Sequence, residues 1–264
     1  MKTRILILCL LSACSAYAQS TADSTDLYRE SSVSELFGIG EKTYNKAARG
    51  TTSFRGHWNG VRLGFMNFAK LAPETEAADL NINHSLSMQF NLVKREISLS
   101  KKQNFGIVTG LGLEYQRFRF QDNNITFHKT DGQTLPTEVR TLHTDAREIR
   151  KSSFKNLYLT IPVLLEVQIP KNAAPAKRMF LSAGVMAGIR MHSKTKIVYQ
   201  DNQNDTMKKK QKGNFNVLPV KADAVVQIGY RHVTLWGSYT LTRLFKKSSL
   251  PDLNVYTVGF GFSI

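Results

Sequence analysis

Five ionisable residues occupy polar positions of segments in which apolar and polar residues alternate. They are Arg62, Glu114, Glu166, Lys221 and Asp223. If the strands bring such side chains together inside one protein, they can form a path for protons or ions. They can also pair with one another and fill the space, because buried charges must be matched. We call these residues the lumen charge network, and the sequence leaves open which pairs meet.

Two other kinds of chemistry have weaker support. The histidines lack the spacing with cysteine or carboxylates that is typical of a metal site; they are His57, His84, His128, His143, His192 and His232. His143, Asp145 and the Ser152–Ser153 pair could serve a hydrolase at a barrel rim, but no nucleophile motif surrounds either serine. We therefore predict no catalytic residue, no metal and no cofactor.

A basic patch lies in a long connection between predicted strands. It comprises Lys194, Lys196, Lys208, Lys209, Lys210 and Lys212. Further cations expected near the same rim are Arg117, Arg119, Arg243, Lys246 and Lys247. One interpretation is a solvated loop tip. The other is electrostatic contact with anionic sugar or lipid outside the cell, such as lipopolysaccharide.

The segment from Leu157 to Ile169 shows how these groups are positioned. Every odd residue in it is apolar, whereas the even residues include Thr160, Glu166 and Gln168. Successive side chains of a strand point to opposite faces, so the pattern predicts a strand with one continuous apolar face. It is longer than the ~9–11 residues that a tilted strand needs to cross a bilayer. A long strand of a soluble sandwich or a lipocalin-like barrel is the alternative.

Eight alternating segments follow one another along the chain. They cover about 57–68, 84–93, 104–120, 154–169, 179–190, 217–230, 233–244 and the C-terminal run to Ile264. The connections alternate between long (about 69–83, 121–153, 191–216 and 245–254) and short (94–103, 170–178 and 231–232). This is typical of outer-membrane barrels, which have short periplasmic turns and long outer loops. We therefore predict an all-β fold, an eight-stranded antiparallel transmembrane up-and-down β-barrel with extracellular hairpins, and ten strands as the alternative.

The composition of the two faces predicts which one meets lipid. The polar face is rich in glycine, small residues and charges, which suits the narrow, side-chain-filled lumen of an eight-stranded barrel. The apolar face is continuous and suits lipid, and a closed barrel leaves no sheet edge there. The expected arrangement is thus the reverse of a lipocalin, with apolar residues outside.

The N-terminus is typical of an export signal. Lys2 and Arg4 precede an apolar run, and Ala16-Tyr17-Ala18 has the pattern of a cleavage site. We expect a signal peptide at 1–18, a periplasmic or loosely ordered polar segment at 19–56, and the barrel at 57–264. Lipid attachment at Cys14 is the alternative to cleavage after Ala18.

Cleavage would also change the composition of the mature chain. Cys9 and Cys14 both lie in the leader, so no disulfide is expected after it. The formal charge of +16 falls to +14 without Lys2 and Arg4. That excess favours anionic neighbours, and in an exported chain these are envelope lipids or polysaccharides rather than nucleic acid.

The last strand and two internal motifs carry a family resemblance. Tyr256, Phe260, Phe262 and Ile264 form an alternating C-terminal pattern similar to the signal that the barrel-insertion machinery reads. The stretches 54–60 (Phe-Arg-Gly-His-Trp-Asn-Gly) and 157–165 (Leu-Tyr-Leu-Thr-Ile-Pro-Val-Leu-Leu) resemble PorT-type outer-membrane barrels of Bacteroidetes. The resemblance implies fold and location, and some relatives take part in assembling a protein-secretion system.

These observations favour a non-enzymatic integral outer-membrane protein. Its expected role is envelope-structural, assembly or surface-binding, with the basic loops contacting anionic glycolipid or polysaccharide. A small-solute channel and an accessory component of a secretion system are the alternatives, and a rim hydrolase is a weaker one.

Overall fold

The computed structural model describes residues 54–69, 78–130, 133–169, 178–246 and 253–263. The predicted signal peptide at 1–18, most of the 19–56 segment, Lys247 and Ile264 lie outside these ranges. The strands are β1 (Gly60–Phe68), β2 (Leu86–Ser98), β3 (Phe105–Arg119), β4 (Ile125–Thr130), β5 (Gln133–Glu138), β6 (Ala146–Ile169), β7 (Met179–Asp201), β8 (Thr206–Lys212), β9 (Val220–Tyr230), β10 (Val233–Thr240) and β11 (Val255–Ser263). A short helix in these ranges, α1, spans Val139–Leu142.

Eight of the strands close into an antiparallel barrel, as the alternation predicts. The wall runs β1-β2-β3-β6-β7-β9-β10-β11, and β11 pairs with β1 to complete the ring. Strands β4, β5 and β8 do not belong to this ring. The expected fold class is therefore confirmed, and the strand count of the wall is eight rather than ten.

Two strands are much longer than the sequence indicated. β6 has 24 residues and β7 has 23, and they pair along almost their whole length. Much of what was expected as loop at 121–153 and 191–216 is therefore strand. Each of these regions contains a hairpin, in agreement with the predicted extracellular hairpins: β4 pairs with β5, and β8 pairs with the last part of β7. The sequence pattern did not predict this extension, because lysines take the place of the apolar residues on the outward face.

The two faces of the wall differ as the sequence predicts. On β6 the outward side chains of Val163 and Leu165 are 57% and 50% exposed, whereas those of Glu166 and Gln168 are fully buried in the lumen. The same contrast recurs on β1, β7 and β9, where exposed apolar residues alternate with buried polar ones. The apolar face is thus on the outside, and the lipocalin-like alternative is excluded.

The ends of the barrel also differ. At one end, here called the turn end, short connections join β2 to β3, β6 to β7 and β9 to β10. At the other, the loop end, the long connections and the β4–β5 and β7–β8 hairpins extend the structure. No helix in the described ranges is long and apolar enough to span a membrane.

Candidate functional site

The lumen charge network is divided into two separate groups. In the first, the Lys221 ammonium lies 2.7 Å from a carboxylate oxygen of Glu114 and 2.5 Å from one of Asp223. The ring of Tyr158 lies 4.9 Å from the same ammonium. Gly188 lies opposite, where any Cβ would collide with the lysine stem. One cation is thus held between two carboxylates.

The second group forms around Glu166, near the turn end. Its Oε1 lies 2.7 Å from Nδ1 of His57, and its Oε2 accepts a hydrogen bond of 3.0 Å from the His57 backbone N–H. Ser182 and Gln168 also donate to this carboxylate. The sequence left open whether Glu166 meets Arg62 or Lys221, and it missed His57, which was expected in the first strand.

Arg62 is bound to the second group in a different way. Its guanidinium lies 4.3 Å above the ring of Trp58 and donates a 3.4 Å hydrogen bond to the His57 carbonyl. Cation–π contact is stronger where water is excluded, and Arg62 is only 4% exposed. None of the five predicted charges lies alone, but they do not form one continuous path of ion pairs.

Residues 54–59 form a plug inside the turn end of the lumen. The chain turns back into the wall at Gly60, whose φ of +128° suits glycine. Phe54 and Trp58 pack among inward apolar side chains of the wall. The His57 ring stacks on Phe180 with ring centroids 3.9 Å apart.

Wall side chains also hold the plug by its backbone. Gln168 donates to the Arg55 carbonyl at 2.5 Å, Lys94 to the Gly56 carbonyl at 2.9 Å, and Gln227 to the His57 carbonyl at 3.1 Å. The first wall strand thus starts at Gly60, later than the expected 57. The residues in between, which carry part of the family resemblance, fill the lumen.

An aromatic cluster fills the opposite end. Phe118 and Phe154 from the wall meet Phe127 of β4 and Phe215 and Phe245 of the loops, with neighbouring ring centroids 5.0–6.1 Å apart. All five are at most 2% exposed. The barrel interior is therefore packed with side chains at both ends.

The predicted basic patch belongs to a larger ordered array on the outside of the loop end. The register aligns one row of cations across β3, β6, β7 and β8, namely Arg117, Lys155, Lys194 and Lys212. A second row contains Arg119, Lys196 and Lys210, and a third contains Lys151 and Lys208. We call these three rows the basic band. Arg117, Arg119, Lys151 and Lys155 extend it onto β3 and β6, outside the predicted lysine run.

One member of the predicted patch lies on the other face. Lys209 pairs with Ile197, which is buried on the inner side of β7, whereas Lys208 and Lys210 pair with residues of the outer side. Alternation along β8 therefore separates Lys209 from its neighbours. The lysine run is a strand with two distinct faces, and not a loop tip.

The basic band has no internal counter-charge. Within the described ranges, none of its cations lies within 4.0 Å of a carboxylate. The pKa of Lys196 is lowered by desolvation and by the positive charges of Lys155, Lys210, Lys208 and Lys194. An anion placed here would relieve that repulsion.

The residues considered for a rim hydrolase are placed as follows. Ser152 and Ser153 are fully buried. His143 stacks on Tyr199, whose hydroxyl donates to Asp145 at 3.0 Å. The pKa of Tyr199 is raised by desolvation and by this carboxylate. Across the described ranges no group of three or more His, Cys, Asp or Glu is placed to hold a metal ion.

The C-terminal strand has the predicted faces. Phe260 and Phe262 point outward and are 47% and 59% exposed, and Tyr256 is on the same side. β11 pairs with both β10 and β1, so these aromatic residues flank the seam where the barrel closes.

The sequence matches a known family over most of its length. A family model described as "Outer membrane protein beta-barrel domain" matches residues 18–246. The chain belongs to this family. Membership of the outer membrane beta-barrel family agrees with the apolar exterior and closed wall, and it indicates a location in the outer membrane. No curated protein matches the chain.

Two solved structures show a distant likeness to this outer membrane barrel. Outer membrane phospholipase A from Escherichia coli is 10% identical with a TM-score of 0.23, over 78% of this chain and 97% of that one. A Salmonella typhi outer membrane phospholipase dimer with bound calcium is 11% identical, also with a TM-score of 0.23, over 78% and 91%. At that TM-score neither likeness supports a shared activity.

Proposed function

We propose that the protein is a non-enzymatic, integral outer-membrane barrel whose basic band binds the anionic headgroup of lipopolysaccharide. Its role is structural: it anchors the glycolipid layer around the barrel or serves assembly within the envelope. In this proposal the leader at 1–18 exports the chain, and the turn end faces the periplasm.

The height of the basic band on the wall is the observation that carries the proposal. The outward apolar run of β6 extends from Leu157 to Ile169. At ~3.3 Å per residue and a tilt of ~35–45°, that run rises about 30 Å, close to the thickness of a hydrocarbon core. Lys155 is the next outward residue above Leu157, so the first row lies at the level of lipid headgroups.

The chemistry of the band fits phosphate groups on a sugar. It combines arginine, which binds phosphate through two N–H groups at once, with lysine, which acts as a point charge. The Lys155 ammonium lies 5.8 Å from the ring of Tyr115, just below the first row. Tyrosine is enriched at this level of a membrane, where its ring meets lipid and its hydroxyl meets water.

The filled lumen supports a structural role over the small-solute channel. The plug and the aromatic cluster occupy the two ends of an eight-stranded wall, which is itself just wide enough for side chains. Steady, large conductance of the purified protein in planar bilayers would favour the channel instead.

Two further partners are part of the proposal. In this proposal the barrel-insertion machinery reads Phe260 and Phe262 during biogenesis, and their outward direction supports this role. The PorT-type resemblance gives a second candidate role, as an accessory of a protein-secretion system. In support, its two motifs contribute the plug and a central wall strand, and are thus built into the barrel.

A matched pair of variants tests glycolipid binding. Changing both Lys155 and Lys194 to Gln removes two charges from the first row of the band. Changing both Lys101 and Lys102 to Gln removes the same charge from the turn between β2 and β3, at the opposite end. Each variant is placed in nanodiscs with limiting lipopolysaccharide, and the bound glycolipid is quantified by mass spectrometry.

The band variant should bind lipopolysaccharide about thirtyfold more weakly, since each cation near an anionic surface contributes ~1 kcal/mol. The turn variant should bind normally. Dephosphorylated glycolipid should not distinguish the band variant from the parent protein. Equal losses in both variants would show that net charge, and not the band, attracts the lipid.

A further inference from the structure

A pocket of about 240 Å³ lies against the inner side of the β7–β8 hairpin and shares one residue, Lys210, with the basic band. Its other walls are formed by β4, through Phe127 and His128, and by the end of α1 with His143, the residue that follows it. Lys209, the one lysine of the predicted patch that does not join the outer rows, lines it. The pocket therefore lies at the loop end, between the upper part of the wall strand β7 and elements outside the wall.

The lining has one sign of charge. It includes Lys209, Lys210 and two imidazoles, and no described lining residue is a carboxylate. Neither lysine has a carboxylate within 4.0 Å in the described ranges. These groups can donate hydrogen bonds to an anion while offering it no repulsion.

The remaining lining combines apolar side chains with three neutral polar residues, Thr126, Thr195 and Gln211. Phe127, Leu142 and Ile197 contribute hydrocarbon surface. Thr126 also lines the pocket; it is 1% exposed, and its hydroxyl has no hydrogen-bond partner among the described residues. Buried hydroxyls without a partner are rare in native proteins, and a ligand is one way to satisfy them.

We propose that this pocket binds a small organic carboxylate with a ring or short acyl body. The carboxylate meets Lys209 and the imidazoles, and the body lies on Phe127 and Ile197. The volume corresponds to about eight water molecules at ~30 Å³ each, so the ligand is the size of a single ring. Lys210 belongs to both the pocket and the second row of the basic band, but the proposed carboxylate contact is made by Lys209, on the other face of β8. The site therefore does not depend on glycolipid binding by the band.

Benzoate is a suitable probe. The full-length protein is placed in phosphatidylcholine nanodiscs, free of detergent and lipopolysaccharide, and the imidazole signals of His128 and His143 are followed by NMR during titration. A ligand of this size should bind with a Kd on the order of 1 mM. Benzyl alcohol, which has the same ring without the charge, and inorganic phosphate, which has the charge without the ring, should both bind at least tenfold more weakly.

Variants on one strand provide the control. Lys209→Met keeps the aliphatic stem and removes the charge, and should weaken benzoate binding at least tenfold. Lys208→Met lies on the outer face of the same strand and should leave the benzoate Kd unchanged while weakening lipopolysaccharide binding. Thr126→Val, which keeps the side-chain shape, should weaken benzoate binding severalfold.

Several results would overturn the proposal. They are no saturable shift up to about 10 mM benzoate, equal affinity for benzyl alcohol or for phosphate, and equal losses in the Lys208 and Lys209 variants. The band variant with Lys155 and Lys194 changed to Gln should bind benzoate normally. Failure of glycolipid binding and failure of this site are thus separate outcomes.

Discussion

The outward face of β6 allows a direct test of how the barrel sits in the membrane. Val163 lies midway between Leu157 and Ile169, the ends of the outward apolar run. We consider one arginine substitution at each of these three positions. Each places the same charge on the same strand and face, so that only the depth of the charge in the membrane differs.

The expected cost follows from strand geometry. Six residues at ~3.3 Å each and a tilt of ~35–45° separate Val163 from either end by about 15 Å in height. That is half of a hydrocarbon core. An arginine on the lipid face costs ~2–4 kcal/mol at the midplane and ~0–1 kcal/mol near an interface. Val163→Arg should therefore destabilise the barrel by about 3 kcal/mol, and Leu157→Arg and Ile169→Arg by less than about 1 kcal/mol.

The measurement is the free energy of unfolding in urea from phosphatidylcholine vesicles, followed by tryptophan emission and by heat-modifiable gel migration. Val163→Ala is the control, because it removes volume without adding charge. A flat profile would refute the proposed membrane position of the wall. A maximum at Leu157 would place the band within hydrocarbon and refute the headgroup argument for Lys155.

Three other outcomes are expected. Glu166→Gln should weaken the attachment of the plug by about 2–3 kcal/mol, because a neutral amide accepts weaker hydrogen bonds than a carboxylate. In a Trp236→Phe background, acrylamide should then quench the fluorescence of Trp58 more strongly. Unchanged quenching would contradict the plug contacts. Lys221→Met should destabilise the barrel by ~3–5 kcal/mol, since two buried carboxylates lose their cation. Unfolding in urea measures this change. A cost below about 1 kcal/mol would show that water replaces the ammonium group. Without a bound anion the pKa of Lys196 is lowered, and a bound anion would raise it. The affinity for lipopolysaccharide should therefore be full below the pKa of the unbound protein and fall as pH rises through it. An affinity that stays constant into the alkaline range would show that Lys196 does not belong to the binding site.

Much of the wall could be predicted because one physical rule governs it. Lipid outside and a packed lumen inside require strict alternation, and strand 157–169 shows it without interruption. The same rule failed above the membrane. There, a bulge in β7 between Arg190 and His192 shifts the outward positions from odd to even numbers, so the outward series that is apolar up to Met191 continues as Lys194 and Lys196.

The pairing of the lumen charges could not be predicted from the sequence. Register and the stagger of the strands decide that Lys221 meets Glu114, which lies on a different strand and far away in sequence. The partner of Glu166 was missed for another reason. His57 precedes the first wall strand, and no periodic pattern indicates that an irregular segment will fold into the lumen. The feature of the sequence that could have indicated the plug is the presence of three aromatic side chains, Phe54, His57 and Trp58, within five residues.

The position of the plug has a consequence for the order of folding events. Trp58 is joined to β1 through Asn59 alone, and β1 is one side of the seam with β11. Because the Trp58 indole lies so close to β1, it cannot enter the lumen after the barrel has closed and side chains fill the turn end. The indole must therefore move into the lumen together with β1, while β1 pairs with β11. Burial of Trp58 and pairing of β1 with β11 should thus be one kinetic event, and a single-tryptophan folding trace should show no slower phase after closure.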